Sequence, residues 1–332
     1  MKHSSRASGR FHRPALRARP EPRPSGPAPN RLVTKGDEVE EWLDLHFFRP
    51  IGARIAHRLA RTRTTADQVT FLSLVIGLVA GHLFVYTSPW LNAAGFVLFI
   101  VSDIFDSADG QLARLRGTST PLGRILDGTS DAARFINLGV HLLIRLILAQ
   151  HWNWLGATAL VAAAAVSQSY QSSAIDFIRH AFLGLAVGRG SELAVDGTAG
   201  HAATGPWWRR AGVRMYETYN RRQATMFPRT MALLRAAREA PWGPAVAAYR
   251  AEVAPLLGQC AWLGQNFRFI ILGVTAVAGW PAGLLWITLV PMNAILIWLV
   301  RAQERGADRA LHVMDRTRSA PPAAAARAIG GE

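Results

Sequence analysis

Cysteine is almost missing from this 332-residue chain: Cys260 stands alone, which excludes an intramolecular disulfide and any cysteine-based metal site. It reads as a small apolar residue, buried or at an interface. Acid is in short supply too, with 22 Asp and Glu against 37 Lys and Arg and a formal net charge of +15. That balance points to nucleic acid or an anionic membrane surface. No zinc-finger, RNP or similar signature accompanies it, so nucleic acid is set aside as a partner. The ten histidines are scattered, without HExxH or a similar ligand spacing. Neither a GxSxG elbow nor a GxxxxGK(S/T) loop occurs, so a serine nucleophile or a P-loop has no support. No apolar core follows within the first 30 residues, which excludes a cleavable secretory signal.

Half of the residues, 50%, are hydrophobic, and they fall into long runs. Residues 1–34 are rich in Pro, Arg and Ser and read as a disordered basic tail that holds orientation or touches anionic lipid. Across 35–65 an amphipathic pattern appears: Trp42, Leu45, Phe48, Ile51, Ile55 and Leu59 recur at helical spacing with arginines between them. This suits a helix lying in the membrane interface. Six apolar segments follow, near 68–87, 91–110, 124–150, 153–180, 266–282 and 283–302. Their lengths match a hydrocarbon core about 30 Å thick. Connections at 87–90, 150–154 and 279–281 carry Trp and no Lys or Arg, whereas the others hold clusters of arginine. The positive-inside rule then puts both termini, residues 106–131 and the insert 188–262 on the cytoplasmic side.

The expected fold is all-α: a polytopic membrane protein with six transmembrane helices, an N-terminal interfacial amphipathic helix and a cytoplasmic helical insert. Spans one to four occupy 66–187 and spans five and six 263–310, and a second disordered tail takes 311–332.

Residues 106–131, DSADGQLARLRGTSTPLGRILDGTSD, put four carboxylates at the ends of apolar segments. Asp106 and Asp109 are spaced i, i+3 and Asp127 and Asp131 i, i+4, so each pair shares a helix face. Between them Thr118, Ser119 and Thr120 can cap a helix, and Pro121 suits its first turn. A carboxylate near the bilayer centre costs roughly 2.5–3.5 kcal/mol on an insertion scale. Hard divalent cations relieve the mutual repulsion, and paired metals are a recurrent arrangement for displacement at phosphorus. Gly110, Ala113 and Gly123 let backbones or a ligand approach closely, and Arg114 offers a fixed cation to phosphate oxygens.

The pattern Asp106-x-x-Asp109-Gly110-x-x-Ala113-Arg114, eight residues, then Gly123-x-x-x-Asp127-x-x-x-Asp131 resembles the signature of the CDP-alcohol phosphatidyltransferase (phosphotransferase) superfamily at every fixed position. The run Thr64 to Thr70 is similar to the family's lead into its first span, Thr-Pro-Asn-Gln-Val-Thr, with Ala66 and Asp67 at the positions of Pro and Asn and Asp67 expected to cap the helix. The resemblance implies a transferase that moves a substituted phosphate from a CDP-alcohol to an acceptor alcohol and releases CMP. It implies two Mg²⁺ or Mn²⁺ ions held by Asp106, Asp109, Asp127 and Asp131, with Asp131 as general base. Gly110, Ala113, Arg114 and Gly123 would border the cytidine and pyrophosphate. A homodimer is implied as well. The donor is either lipidic, with CDP-diacylglycerol preferred, or soluble, as CDP-ethanolamine or CDP-choline with a lipid alcohol accepting.

Outside the motif, Asp103 is either a support or a residue of the lipid interface. Arg145 either snorkels toward the outer interface or meets substrate. Gln168, Tyr170, Gln171, Ser172, Ser173 and Asp176 make the inner half of the fourth span polar, which means bonds across helices or the lining of a wet cavity. Arg179, Arg268 and Arg221/Arg222, with Tyr216, Tyr219, Gln265 and Asn266, are candidates for a polar or phosphorylated acceptor. Two other functions fit an acidic cluster in a membrane: a cation transporter, which needs carboxylates at mid-membrane, and a catalytically silent scaffold, which is expected to have lost an Asp.

Overall fold

The structure, a computed structural model, describes residues 39–118, 121–186, 207–239 and 243–319. For 121–128, 207–209, 211–213, 215–216, 239 and 318 it describes the backbone alone. The expected N-terminal tail, the first part of the insert and the chain beyond 319 lie outside these residues.

Among the described residues all regular structure is helical. A π-helical turn, Asp44–Phe48, leads into α1, Arg49–Leu59. Then come α2, Ala66–Leu83, α3, Pro89–Leu115, α4, Pro121–Leu148, and α5, Trp154–Ala186. The insert forms α6, Trp207–Met226, α7, Pro228–Glu239, and α8, Gly243–Gln259. A 3₁₀ turn, Cys260–Leu263, joins it to α9, Gln265–Val277, followed by α10, Ala282–Leu289, and α11, Pro291–Ser319. Helix therefore runs nine residues into the tail expected from 311.

Local chemistry sets the ends that matter for the site. At the start of α2 the cap is Thr65, not Asp67: Thr65 Oγ1 accepts from Gln68 N at 3.2 Å, and Gln68 Oε1 accepts from Thr65 N at 3.0 Å. This is a capping box, and Asp67 sits in the first turn, where it faces the positive end of the helix dipole. α3 ends at Gly117, whose φ of +64° only glycine adopts without strain. Thr118 N donates to Ala113 O at 2.9 Å and Gly117 N to Arg114 O at 3.2 Å. That pair of bonds is a Schellman motif, which stops the helix right after the first half of the carboxylate pattern.

Small residues bring the helices together. α1 packs on α3 through Gly52, where a Cβ would stand 2.8 Å from Ser107 Oγ. α2 and α3 are clamped by a reciprocal pair, Ser73 Oγ to Ser102 O and Ser102 Oγ to Ser73 O, both 2.9 Å. On α2, Gly77 and Gly81 lie one turn apart and admit Arg134 and Asn137 of α4; a Cβ on either would collide with those side chains. At the centre Phe84, Phe99, Phe269 and Phe135 stack, with centroids 4.7–6.0 Å apart.

Arg145 corrects an expectation. It is buried, and its Nη1 donates to Phe84 O and to Asn92 Oδ1, each at 3.2 Å. It satisfies the carboxyl end of α2 instead of snorkelling outward or meeting substrate.

Four helical stretches are long and apolar enough to cross a membrane: Ala66–Leu83, Pro89–Leu115, Gly243–Val277 and Ala282–Thr317. The expected spans in α4 and α5 are single unbroken helices of 28 and 33 residues. Their charged and polar residues hold them outside that count. α8, assigned to the insert, joins α9 in one apolar stretch, and its inner face is buried through Ala245, Tyr249 and Val253. The insert docks on α11: Glu304 accepts from Arg229 N at 2.7 Å, Thr230 N at 3.0 Å and Thr230 Oγ1 at 2.7 Å. Glu304 thereby caps α7 from another helix.

Candidate functional site

α3 and α4 present Asp106, Asp109 and Asp131 to one cavity of about 1120 Å³. Gly110 and Arg114 line it as well, while Ala113 is half-buried outside the lining. Gly123 and Asp127 fall on the stretch of α4 described by backbone only, so their side-chain geometry lies outside the described residues. Asp103, one turn before Asp106, is buried and turns into the same cavity.

The carboxylates meet a cation that sequence reasoning missed. Arg134 is 2% exposed, and its guanidinium donates to Asp103 Oδ1 at 3.1 Å, Asp106 Oδ1 at 2.9 Å, Ser102 Oγ at 2.9 Å and Asp131 Oδ1. A signal was available: Arg134 follows Asp131 at i, i+3, on the same face. One buried positive charge set among like-charged groups offsets part of their repulsion, which otherwise makes such a cluster costly to bury.

Among the described residues no three His, Cys, Asp or Glu side chains converge closely enough to form a ready metal cluster. Asp103, Asp106, Asp109 and Asp131 offer carboxylate oxygens to this end of the cavity. That is the ligand chemistry hard divalent cations take, so the residues fit Mg²⁺ or Mn²⁺ in kind.

Polar groups from four other segments close the cavity beside the carboxylates. Glu41 and Asp44 come from the residues before α1, Asp176 and Arg179 from α5, Tyr219 from α6, and Gln265 and Asn266 from α9. Arg179 donates to Glu41 Oε1 at 3.0 Å, and Asn266 Nδ2 to Glu41 Oε2 at 3.1 Å and Asp44 Oδ1 at 2.9 Å. Burial pushes the Glu41 carboxyl above its ordinary value, and the Arg179 charge opposes that shift. Tyr219 OH donates to Asp176 Oδ2 at 2.8 Å. Burial first, then the Asp176 charge, raises the phenol well above its usual range, so it stays a donor at neutral pH.

The remaining acceptor candidates divide. Arg268 is buried away from the cavity, with Nη2 on Gln171 Oε1 at 2.5 Å and Leu263 O at 3.0 Å. Gln171 in turn donates to Thr288 O at 2.9 Å and Asn293 Oδ1 at 2.7 Å, across the break between α10 and α11. Arg222 lies 4.3 Å above the Tyr170 ring and donates to Ser169 Oγ, and Gln223 donates to Ser173 O, so both dock α6 on α5. Arg221 is exposed outside the cavity lining, and Tyr216 lies among the side chains that are not described. Both expectations for the polar half of α5 hold: Gln171 bonds across helices, and Gln168, Ser172 and Asp176 line the cavity.

The lining changes character along two helices. On α4, Asp131 is followed up the same side by Phe135, Ile136, Val140 and Leu143. On α5, Asp176 and Ser172 give way in the opposite chain direction to Ala165 and Val161. One cavity thus has an ionic end and an apolar end, and at the apolar end Ile136 and Val140 are exposed.

Known proteins share this part of the chain. The family model described as CDP-alcohol phosphatidyltransferase matches residues 63–181. A CDP-diacylglycerol–serine O-phosphatidyltransferase from Methanocaldococcus jannaschii is 40% identical over 72 residues, which cover 22% of this chain and 31% of that protein. The chain therefore spans less than a third of the length of the curated relative it matches. The matched residues run from just before α2 to near the carboxyl end of α5, the stretch that carries the carboxylates, Arg134 and the apolar strip. Over residues 63–181 this chain is similar to the CDP-alcohol phosphatidyltransferases.

Proposed function

We propose that the chain transfers the phosphatidyl group of a CDP-linked lipid, CDP-diacylglycerol in first place, to a small polar alcohol and releases CMP. The observation that carries this reading is the two-ended cavity, with motif carboxylates at one end and the apolar strip of α4 and α5 at the other. Such a strip suits acyl chains next to the reacting phosphate, and the relative named for CDP-diacylglycerol favours placing them on the donor. The relative whose name specifies serine supports an unphosphorylated acceptor. So does the pairing of the arginines: Arg179 is bonded to Glu41, and Arg268 is turned away from the cavity.

In the mechanism, Asp106, Asp109, Asp127 and Asp131 would hold two Mg²⁺ or Mn²⁺ ions, which when bound supply neutralising charge at the pyrophosphate. Arg114, which lines the cavity with these carboxylates, would meet the phosphate oxygens. Asp131 takes the proton of the acceptor hydroxyl as its oxygen bonds to the β-phosphorus. The bond from that phosphorus to the bridging oxygen breaks, and CMP leaves with the electron pair. Asp44, Asp176, Tyr219, Gln265 and Asn266 orient the acceptor. The proposal includes six spans, α2, α3, α4, α5, α9 and α10 with the first half of α11. Both termini and the carboxylate end would face the cytoplasm, and the active form would be a homodimer.

The test is CMP release by the full chain in lipid nanodiscs with Mg²⁺ or Mn²⁺. CDP-diacylglycerol is compared with CDP-ethanolamine and CDP-choline, and serine with glycerol phosphate, inositol and inositol phosphate. Release from CDP-diacylglycerol is expected, with Asp131→Asn lowering kcat by about 10²-fold or more. Release only from a soluble CDP-alcohol would overturn the lipid-donor reading, and release that survived in the variant would overturn the role of Asp131.

A further inference from the structure

We infer that Arg134 is a positioning residue for this reaction, holding Asp131 and Asp106 each by one carboxylate oxygen; the inference rests on the transferase reading above. Arg134 is buried, so its bonds are not in competition with bulk water. It engages α3 at Ser102, Asp103 and Asp106 and its own helix at Asp131. The Ser102 hydroxyl is itself tied to Ser73 of α2, so the guanidinium rests on an anchored group. Asp131 Oδ1 is taken by Arg134, and no other side chain among the described residues bonds Asp131, which lines the cavity and is 38% exposed there. Asp131 thus meets the cavity in which the substrate is proposed to lie while Arg134 holds its Oδ1.

The slot for this side chain is built into α2. A Cβ at Gly77 would collide with Cδ of Arg134 and stand 2.9 Å from its Cγ and from Ser102 Oγ. The guanidinium is also the group this geometry requires. A planar fork reaches several carboxylates at fixed angles, whereas an ammonium is a point charge on a flexible stem.

Charge and position predict opposite outcomes when Arg134 is removed. On charge alone, taking a cation from among carboxylates tightens the binding of a divalent ion. If Arg134 sets position, the rate falls even though the ion binds.

The experiment uses the full chain in nanodiscs, with Mn²⁺ binding and the line shape of bound Mn²⁺ read by electron paramagnetic resonance alongside kcat and KM. Arg134→Gln, shown to be folded by thermal unfolding, is expected to bind Mn²⁺ as tightly as the parent or more tightly, with an altered line shape. At saturating Mn²⁺ its kcat is expected to fall about 100-fold, the scale of a misplaced group, with KM changed by less than about threefold. Arg134→Lys should recover part of the loss. Gly77→Ala keeps the charge but crowds the side chain, and should lower kcat by about tenfold. A folded Arg134→Gln with parental kcat and line shape would overturn the inference, as would a rate fully restored by excess Mn²⁺. Should Arg134→Gln fail to fold, parental kcat and line shape in Gly77→Ala would overturn it. A parent chain that binds Mn²⁺ but releases no CMP from any donor sinks the transferase reading alone, and the line shapes still decide on Arg134.

Discussion

Tyr219 shows how one side chain of the insert enters the site. Its hydroxyl bonds Asp176 at 2.8 Å on the cavity wall, and both groups sit where the acceptor is proposed to lie. Tyr219→Phe keeps the ring and loses the bond, a change of about 1 kcal/mol. The expected outcome is an acceptor KM about fivefold higher with kcat within about twofold, measured by steady-state CMP release. Unchanged KM for every acceptor would remove Tyr219 from the acceptor site. The arginines carry a second lesson at this scale. Three of them, Arg134, Arg145 and Arg268, are buried with acceptors in reach, and each serves a different partner: carboxylates, a helix end and a glutamine.

Among the elements, α3 and α4 decide whether the two halves of the motif meet, and the turn between them rests on Gly117. Any other residue there takes a left-handed conformation that costs roughly 1–2 kcal/mol. Gly117→Val is therefore expected to lower stability by about that amount, which thermal unfolding in detergent would detect, and to reduce kcat by loosening the register of Asp109 against α4. Gly77 and Gly81 act at the same scale: on a helix face one turn apart, they decide how near α4 comes to α2. The Thr65-x-x-Gln68 box was legible, because a capping box is a local pattern of side chain and backbone. Asp67, one residue inside the helix, lies in the first turn while Thr65 makes the cap.

For the whole molecule, the insert is tied to the core through the long C-terminal helix. Glu304 on α11 holds the amino end of α7, and Gln303 beside it donates to Tyr249 of α8 at 2.9 Å. Glu304→Ala leaves those backbone donors without their carboxylate, a loss of about 1–3 kcal/mol. Limited proteolysis is expected to cut the insert faster in this variant than in the parent. A parental cleavage rate would mean that α7 is held by its apolar contacts alone. Helix α11 continues to Ser319, past the expected start of the tail at 311, and Met314 on it is buried.

The sequence alone determined the all-helical class and the carboxylate pattern, because 3.6-residue periodicity and motif spacing are local properties of the chain. Tertiary structure decided the rest. Arg134 became part of the site because Gly77, some sixty residues earlier, leaves room for it. Arg268 left the site because Gln171 offers it a buried acceptor. Glu41 and Asp44 entered it because Gly264 and Asn266 bring the segment just before α1 against the start of α9. Whether a charged side chain faces a cavity or a neighbour depends on which helices approach closely enough to exclude water, and that is set by contacts between distant residues.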